Sequence, residues 1–422
     1  MSQPRRAGGD DRPLLIVIST GPQRYREYLF RSMRTRYRLH LINTVEPTWE
    51  REHIAGATVV PTTDIDPVLA AARELAAWER VDGVLSWDEA RIHQAALVAA
   101  EFGLPTTDPA AVWRCRDKYQ SRTALAAAGV PQPRFALVST AEQAIASAEE
   151  IGFPVVVKPR AAAASYGVVL VRDADELAAN FPFAAEATVP HMPRYDRSVL
   201  IEEYLDGPEV SVDSVVRGGK VEPLFLAHKE IGYPPYFEEV GHTVSHHDEL
   251  LRDPRAVDVV RDTHAALGFT DGWTHAEFKL TERGLTVIEV NGRLGGDVIP
   301  YLGMRASGID PGLVAAAVAC GEEPDITVDR ELVSAVRFFY VDQDDTVVER
   351  VEFDERALPA AIDSAVPLAP PGAVVSPPPR GLVSGRIAFA TAVAPTAEQC
   401  RAALDGAGAA LRVTAAPQGR PR

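Results

Sequence analysis

Cysteine is scarce in this 422-residue chain: Cys115, Cys320 and Cys400 are all there are. Their number is odd and they lie far apart, with no zinc-site spacing. That excludes a disulfide framework and points to a reducing, cytoplasmic setting. Long apolar runs are missing too. Leu14 to Ile18 is too short for a signal-peptide core or a membrane span, so no membrane partner is expected. Positive charge is in deficit, with 43 Lys and Arg against 59 Asp and Glu and a net charge of -16. Nucleic acid as the main partner is excluded, because phosphate backbones need a basic surface. No internal repeat is visible. No G-x-G-x-x-G follows the first strand, which argues against a dinucleotide site there.

What is present reads as a soluble globular protein, 46% apolar and 24% charged. The length exceeds one core and suits two to four packed units. Strands at Leu14 to Ser19, Leu39 to Asn43, Ala57 to Val60 and Gly83 to Ser86 alternate with helical patterns. That alternation predicts an N-terminal doubly wound parallel sheet, an α/β fold. Asp66 and Pro67 should open one helix, and Ser86 with Glu89 has capping-box spacing for another. Pro131 and Pro133 mark a boundary. Beyond them, strands predicted at 134–138, 154–159 and 168–172 surround a helix capped by Thr140 and Gln143. Residues 229 to 248 read as a loop long enough to be functional or mobile. After residue 326 the pattern is strand-rich, with strands expected at 334–341, 346–353 and 382–390, an α+β region.

The stretch with most chemistry is Trp273 to Arg293, two extended runs around the turn Thr281-Glu282-Arg283-Gly284. Side chains alternate across a strand, so His275, Glu277 and Lys279 share one face. In the second run Glu289 and Asn291 share a face with Val287. The hairpin brings Glu277, Glu289 and Asn291 together, a hard-oxygen set suited to Mg²⁺. Two converging acids repel unless a cation sits between them. A solvated sheet face would explain a lone acidic pair. Here Glu289 interrupts an apolar run, and Arg293 follows within four residues, placed to meet an anionic oxygen.

Lys158 ends the apolar run Phe153 to Lys158, where a buried ammonium needs an anion or must snorkel to water. A small-residue turn, Ala161 to Gly167 with Ser165, follows. Its backbone N–H groups can approach phosphate. Ile201-Glu202-Glu203-Tyr204-Leu205-Asp206-Gly207-Pro208-Glu209 is a strand, a turn and the start of a second strand. Such a hinge can present backbone groups to a purine edge, with Glu209 toward ribose hydroxyls; an acidic hairpin turn is the plain alternative.

The ordered set Lys118, Lys158, the small-residue turn, Glu202 to Leu205, Gly207-x-Glu209, Glu277 and Glu289-Val-Asn291-Gly-Arg293 resembles the ATP-grasp superfamily. Within it, the chain looks closest to carboxylate–amine ligases that make dipeptides from L-amino acids. The resemblance runs over roughly residues 14 to 325. It implies a two-part ATP-grasp fold over 117–325 with a lid at about 134–200, a pre-ATP-grasp α/β domain over 1–116, and a small α+β domain with a polar tail over 326–422. It implies that Lys118 and Lys158 hold ATP phosphates, with Ser165 and Gly167 in the phosphate turn. Glu202, Glu203, Tyr204 and Leu205 would lie at the adenine and Glu209 at the ribose. Glu277, Glu289 and Asn291 would ligate two Mg²⁺ ions, with Mn²⁺ able to substitute. Arg293 would stabilise an acyl phosphate and the tetrahedral intermediate. The phosphate turn departs from the family pattern: it has four alanines and one glycine where several glycines are usual.

Dipeptide ligases of this type carry a Glu and a His three residues apart at the amino-acid site. Glu239 and His242 match, so a carboxylate could hold a substrate ammonium; exposed loop histidines are the plain alternative. The expected activity is ATP-dependent ligation of a small-molecule carboxylate and an amine through an acyl phosphate. A ligase of a nucleotide, cofactor or natural-product pathway, using other acids, is the alternative, followed by a non-catalytic ATP-binding scaffold. A homodimer is common among proteins of this appearance.

Overall fold

The computed structural model describes residues 10–162, 165–187 and 198–416. The N-terminal arm up to residue 9, Ala163 and Ala164 of the small-residue turn, residues 188–197 of the expected lid and the tail after 416 lie outside the described residues.

The N-terminal part alternates as its sequence predicts. In order come β1 (Leu14–Ile18), α1 (Gln23–Met33), β2 (Arg38–Asn43), β3 (Gly56–Val59), α2 (Ile65–Trp78), β4 (Gly83–Leu85) and α3 (Ile92–Glu101). The sheet is parallel, in the order β3-β2-β1-β4. Every residue of β1 is buried, since helices cover both faces of such a sheet. Then follow α4 (Pro109–Arg116) and α5 (Lys118–Ala127), capped by the carboxylates of Asp108 and Asp117.

A small antiparallel sheet comes next, from β5 (Phe135–Val138), α6 (Ala141–Ile151), β6 (Val155–Pro159), β7 (Val169–Val171), α7 (Ala174–Ala185) and β8 (Val199–Glu203). Its order is β5-β8-β6-β7. Alternate residues such as Val155, Val157, Val199 and Ile201 form one core with Ala144 and Ala148 of α6 and Leu177 of α7.

The largest layer begins with β9 (Glu209–Arg217), β10 (Lys220–Gly232) and β11 (Glu238–Ser245). The elements α8 (Pro254–Leu267), β12 (Gly272–Thr281), β13 (Gly284–Asn291), α9 (Ile299–Ser307) and α10 (Pro311–Ala319) follow. The C-terminal elements are β14 (Val333–Phe339), β15 (Thr346–Phe353), β16 (Ile362–Pro367), β17 (Val374–Val375), β18 (Ala388–Ala394), α11 (Ala397–Ala410) and β19 (Leu411–Ala415). One eight-stranded sheet has the order β13-β12-β9-β10-β11-β14-β18-β16. The C-terminal strands therefore hydrogen-bond directly onto β11, while β17, β15 and β19 form a separate three-stranded sheet.

Four local expectations are corrected. Residues 229 to 248 are mostly strand: β10 runs on to Gly232, and β11 pairs with it across Lys229 and His242. Their polar side chains face partners in the site, which hides the strand pattern in the sequence. The helix expected at Pro67 starts at Ile65 without a side-chain cap, and Ile65 packs onto the N-terminal core. The Ser86–Glu89 capping box does not form. Ser86 Oγ donates to the Ile18 carbonyl at 2.7 Å, and α3 starts only at Ile92. The strand expected from Leu382 starts at Ala388, because Gly381 and Gly385 press a tight turn against the Ser376 carbonyl. A Cβ on Gly385 would lie 2.2 Å from that oxygen. Helices α9 and α11 were not anticipated.

Candidate active site

The hairpin of β12 and β13 forms one wall. Glu277 sits opposite Glu289, and His275 opposite Asn291. A bulge between Glu277 and Phe278 inserts Ile288 into the second strand. This corrects the expected face: Val287 points into the core with Val290 and Phe278, while Glu289 and Asn291 face the cavity with Ile288. An inserted residue switches the side-chain parity of the strand. Without it, either Val287 or Glu289 would be on the wrong side.

The cavity holds about 150 Å³ and lies between this hairpin and the small antiparallel sheet. Lys118, Lys158, Ser165, Glu202, Glu203, Tyr204, Leu205 and Glu209 line it, as do Glu239, Glu277, Glu289, Asn291 and Arg293. Gly167 and His242 stand outside this lining. Gly167 has a φ of 75°, and a Cβ there would meet the Ala187 Cβ at 2.4 Å, so it shapes the turn by its lack of a side chain. His242 is fully buried in β11, which corrects the reading of an exposed loop histidine. Its Nε2 lies 3.4 Å from Glu239 Oε2 and 2.9 Å from Asp297 Oδ2.

At one end, Glu202 is clamped beneath the cavity. Arg122 of α5 donates from Nε and Nη2 to its two oxygens at 2.8 and 3.0 Å. Lys158 Nζ sits 2.6 Å from Glu202 Oε2. Arg122 also donates to the backbone carbonyls of Val287 and Ile288, tying the floor to the bulge. Two cations therefore share one carboxylate. Burial pulls Lys158 down to about 8; Glu202 opposes this, and Arg122 and Lys118 add to it. Glu202 goes to about 2: burial would raise it, and Arg122 and Lys158 outweigh burial. Lys118 Nζ donates to the Ala162 carbonyl at 3.1 Å and lies 3.2 Å from Glu289 Oε2. Glu203 faces the rim, where its carboxylate accepts from the Arg134 backbone N–H. Gly207, with a φ of 133°, lets the hinge touch the hairpin; a Cβ there would lie 2.1 Å from the Leu280 carbonyl oxygen.

At the other end the ratio reverses. Lys229 Nζ lies 3.1 Å from Glu209, 2.6 Å from Glu239 and 3.0 Å from Glu277. Those three carboxylates hold its ammonium well above the ordinary lysine value against the opposing effect of burial. Lys279 also reaches Glu209, at 3.4 Å. Glu277 has a second support: His275 Nε2 lies 3.4 Å away, and its Nδ1 is 2.9 Å from Asp213 Oδ2. Burial would push His275 down, but Asp213 and Glu277 raise it to about 9. Glu277 is in turn held well below the carboxylate range, as Lys229 and His275 outweigh burial.

Arg293 is bonded through Nε to Glu89, which arrives from the loop before α3. Glu89 is thus a missed site residue whose spacing mimicked a cap. Asp213, Arg122 and Asp297 were also missed. Asp213 alone left a signal, a carboxylate in the apolar run of β9. As to a metal, the oxygens of Glu277, Glu289 and Asn291 face one cavity and offer the hard donors a magnesium ion requires. Both acids already draw cations, so the residues fit such an ion.

Comparisons with known proteins bear on the family and the fold. The family model described as an ATP-grasp domain matches residues 151–301. An uncharacterized protein of Sinorhizobium fredii is 32% identical over 393 residues, covering 91% of this chain and 79% of that protein. D-alanine–D-alanine ligase of Pseudomonas entomophila is 28% identical over 207 residues, 46% of this chain and 60% of that enzyme. The crystal structure of an L-amino acid ligase from Bacillus licheniformis superposes with a TM-score of 0.81 at 21% identity, covering 96% of this chain and 99% of that one. At that identity the likeness concerns the fold. The small sheet, the hinge at Gly207 and the acid-bearing hairpin all lie in or beside the matched region, and the chain belongs to the ATP-grasp family.

Proposed function

We propose that the protein is an ATP-dependent carboxylate–amine ligase that joins amino acids or amino-acid-like substrates and releases ADP and phosphate. One observation carries the reading: a single cavity has two cations around one carboxylate at one end and three carboxylates around one ammonium at the other. The first end suits a polyphosphate and the second suits cations. Adenine would lie against Tyr204 and Leu205, with Glu209 near the ribose. Lys158 and Lys118 would carry the phosphates, and Ser165 would add a polar contact from the turn.

Glu277, Glu289 and Asn291 would hold Mg²⁺, which when bound neutralises charge on the phosphate oxygens. The chain's own groups do the rest. One substrate carboxylate takes the γ-phosphoryl group, and the amine of the other then displaces phosphate. Arg293, oriented by Glu89, sets its guanidinium where negative charge develops on the acyl oxygen. Glu239 offers a carboxylate to a substrate ammonium. Tyr166 and Phe237 flank the mouth and help exclude water, which would otherwise hydrolyse the activated acid. In this reading the chain works as 1–116, 117–325 and 326–422, with 134–200 closing over the nucleotide as a lid.

The test is phosphate release with MgATP against pairs of the common L-amino acids, with products weighed by mass spectrometry. Release that needs two amino acids, with a product lighter than their sum by one water, supports the reading. Nucleotide binding with no release for any pair overturns it.

A further inference from the structure

Arg386 lies far downstream of the matched region, yet it bonds the backbone of Glu239, which lines the cavity. It follows the short turn Val383–Gly385, just ahead of β18. Its side chain is 2% exposed, and its guanidinium sits over the Phe338 ring, 3.7 Å from the centroid. Nη1 donates to Asp297 Oδ1 at 2.5 Å, and Nη2 donates to the backbone carbonyl of Glu239 at 2.8 Å. Nε donates to the Tyr340 hydroxyl at 3.1 Å and lies 3.4 Å from Glu238 Oε1.

Asp297 belongs to the loop that leaves Arg293. It has a φ of 47°, a left-handed backbone that a non-glycine residue keeps only when its surroundings hold it. The holders come from three parts of the chain. Arg26 of α1 donates to the backbone carbonyls of Asp297 and Gly295, at 2.8 and 3.3 Å. His242 of β11 faces one Asp297 oxygen and Arg386 binds the other. The same His242 nitrogen that meets Asp297 lies 3.4 Å from the Glu239 carboxylate.

We propose that Arg386 is a positioning residue for the amino-acid side of the site. Through Asp297 it fixes His242 and the loop behind Arg293, and through the Glu239 carbonyl it fixes the backbone that carries the Glu239 side chain. This rests on the ligase reading above. The physical reason is the charge balance. Glu238 is buried and Asp297 is largely covered around this guanidinium, at 1% and 13% side-chain exposure. Without it they become carboxylates lacking their shared cation, and a buried charge left alone must move or take a proton. Either response shifts His242 and, with it, Glu239. Lysine does not replace arginine here, since one ammonium cannot span Asp297, the Glu239 carbonyl and the Tyr340 hydroxyl as a planar fork does.

The experiment compares wild type with Arg386→Lys and Arg386→Gln. It measures kcat and KM for ATP and for the amine substrate, and the ATP affinity without amine. The expected result is a KM for the amine raised about 10- to 100-fold, as for other residues that orient a contacting group. The ATP affinity should stay within about 2-fold, because Lys158 and Glu202 lie elsewhere. Arg386→Lys should recover part of the loss. The lysine variant also covers the case in which the glutamine variant does not fold, which ATP binding reports. Unchanged amine KM in both folded variants overturns the role of Arg386 alone. Equal losses for ATP and amine overturn it too, by showing general destabilisation. Wild type that turns over no pair overturns the ligase reading, and this inference with it.

Discussion

Two ion clusters contribute to the cavity wall, one buried around Glu202 and one partly exposed around Lys229, and they are built in opposite ratios. Around Glu202, Arg122 and Lys158 place two cations on one carboxylate. Around Lys229, Glu209, Glu239 and Glu277 place three carboxylates on one ammonium. A buried ion pair in a one-to-one ratio has little use for a visitor. An unbalanced one does, because an incoming charge of the scarce sign relieves the excess. Lys158, pulled down to about 8, is the cation left over in the first cluster. In the second the acids outnumber their shared ammonium, with Lys279 and His275 standing against Glu209 and Glu277 as well. The cavity thus has a polarity that follows from these contacts, and the proposed ligase reading puts phosphate at the first cluster and cations at the second.

The largest effect is expected at Arg293, which lines the same cavity. Arg293→Ala should lower kcat about 10²- to 10³-fold while ATP still binds, the usual cost of losing a charge-stabilising donor. Single-turnover assays beside nucleotide binding check this. Glu277→Gln strikes the acid-rich end. It should raise the Mg²⁺ concentration needed for half-maximal activity about 10-fold or more, read from a magnesium titration at fixed ATP. If both ends answer to magnesium alike, the comparison fails.

The cation-rich end has a pH signature. Below about pH 8 Lys158 carries its proton in the free protein, and above it does not. Bound phosphate favours the charged form, so binding takes up a proton above about pH 8. ATP affinity should therefore fall by up to about 10-fold per pH unit beyond that point. Calorimetry in two buffers of different ionisation enthalpy would show the proton uptake. Lys158→Arg should flatten the profile, since arginine stays charged. The smallest effect belongs to Glu203. Its carboxylate sits at the rim between Arg134 and Arg283, at 3.6 and 3.3 Å. Glu203→Gln should change stability by less than about 1 kcal/mol, measured by denaturant titration.

Much of this was legible in the sequence because the hairpin codes its chemistry locally. Glu277 and Glu289 interrupt apolar strands at alternate positions, and Asn291 and Arg293 follow in step. What escaped did so for identifiable reasons. The bulge at Ile288 is set by tertiary packing and leaves no spacing signal. Strand β11 read as a loop because Glu238, Glu239 and His242 all look solvated until their partners arrive from Tyr340, Lys229 and Asp297. Glu89 imitated a helix cap. Helix α9 was masked by Pro300 and Gly303; that glycine is required because a Cβ would sit 2.2 Å from the Phe225 ring. Helix α11 could have been found, since Thr396 caps it with Gln399 three residues on.

The continuous hydrogen bonding from β11 into β14 and β18 has a consequence for anyone who edits this protein. A truncation at residue 326 would uncover the β11 edge, the seam that carries Glu239 and His242, and an open edge invites aggregation. A chimera that exchanges residues 333–416 with a relative would instead replace Arg386 and Tyr340, which back Glu239 and Glu238, and leave Lys118 and Lys158 untouched. The cut that would exchange this backing therefore falls along a strand seam inside the sheet, away from the linkers that sequence composition marks.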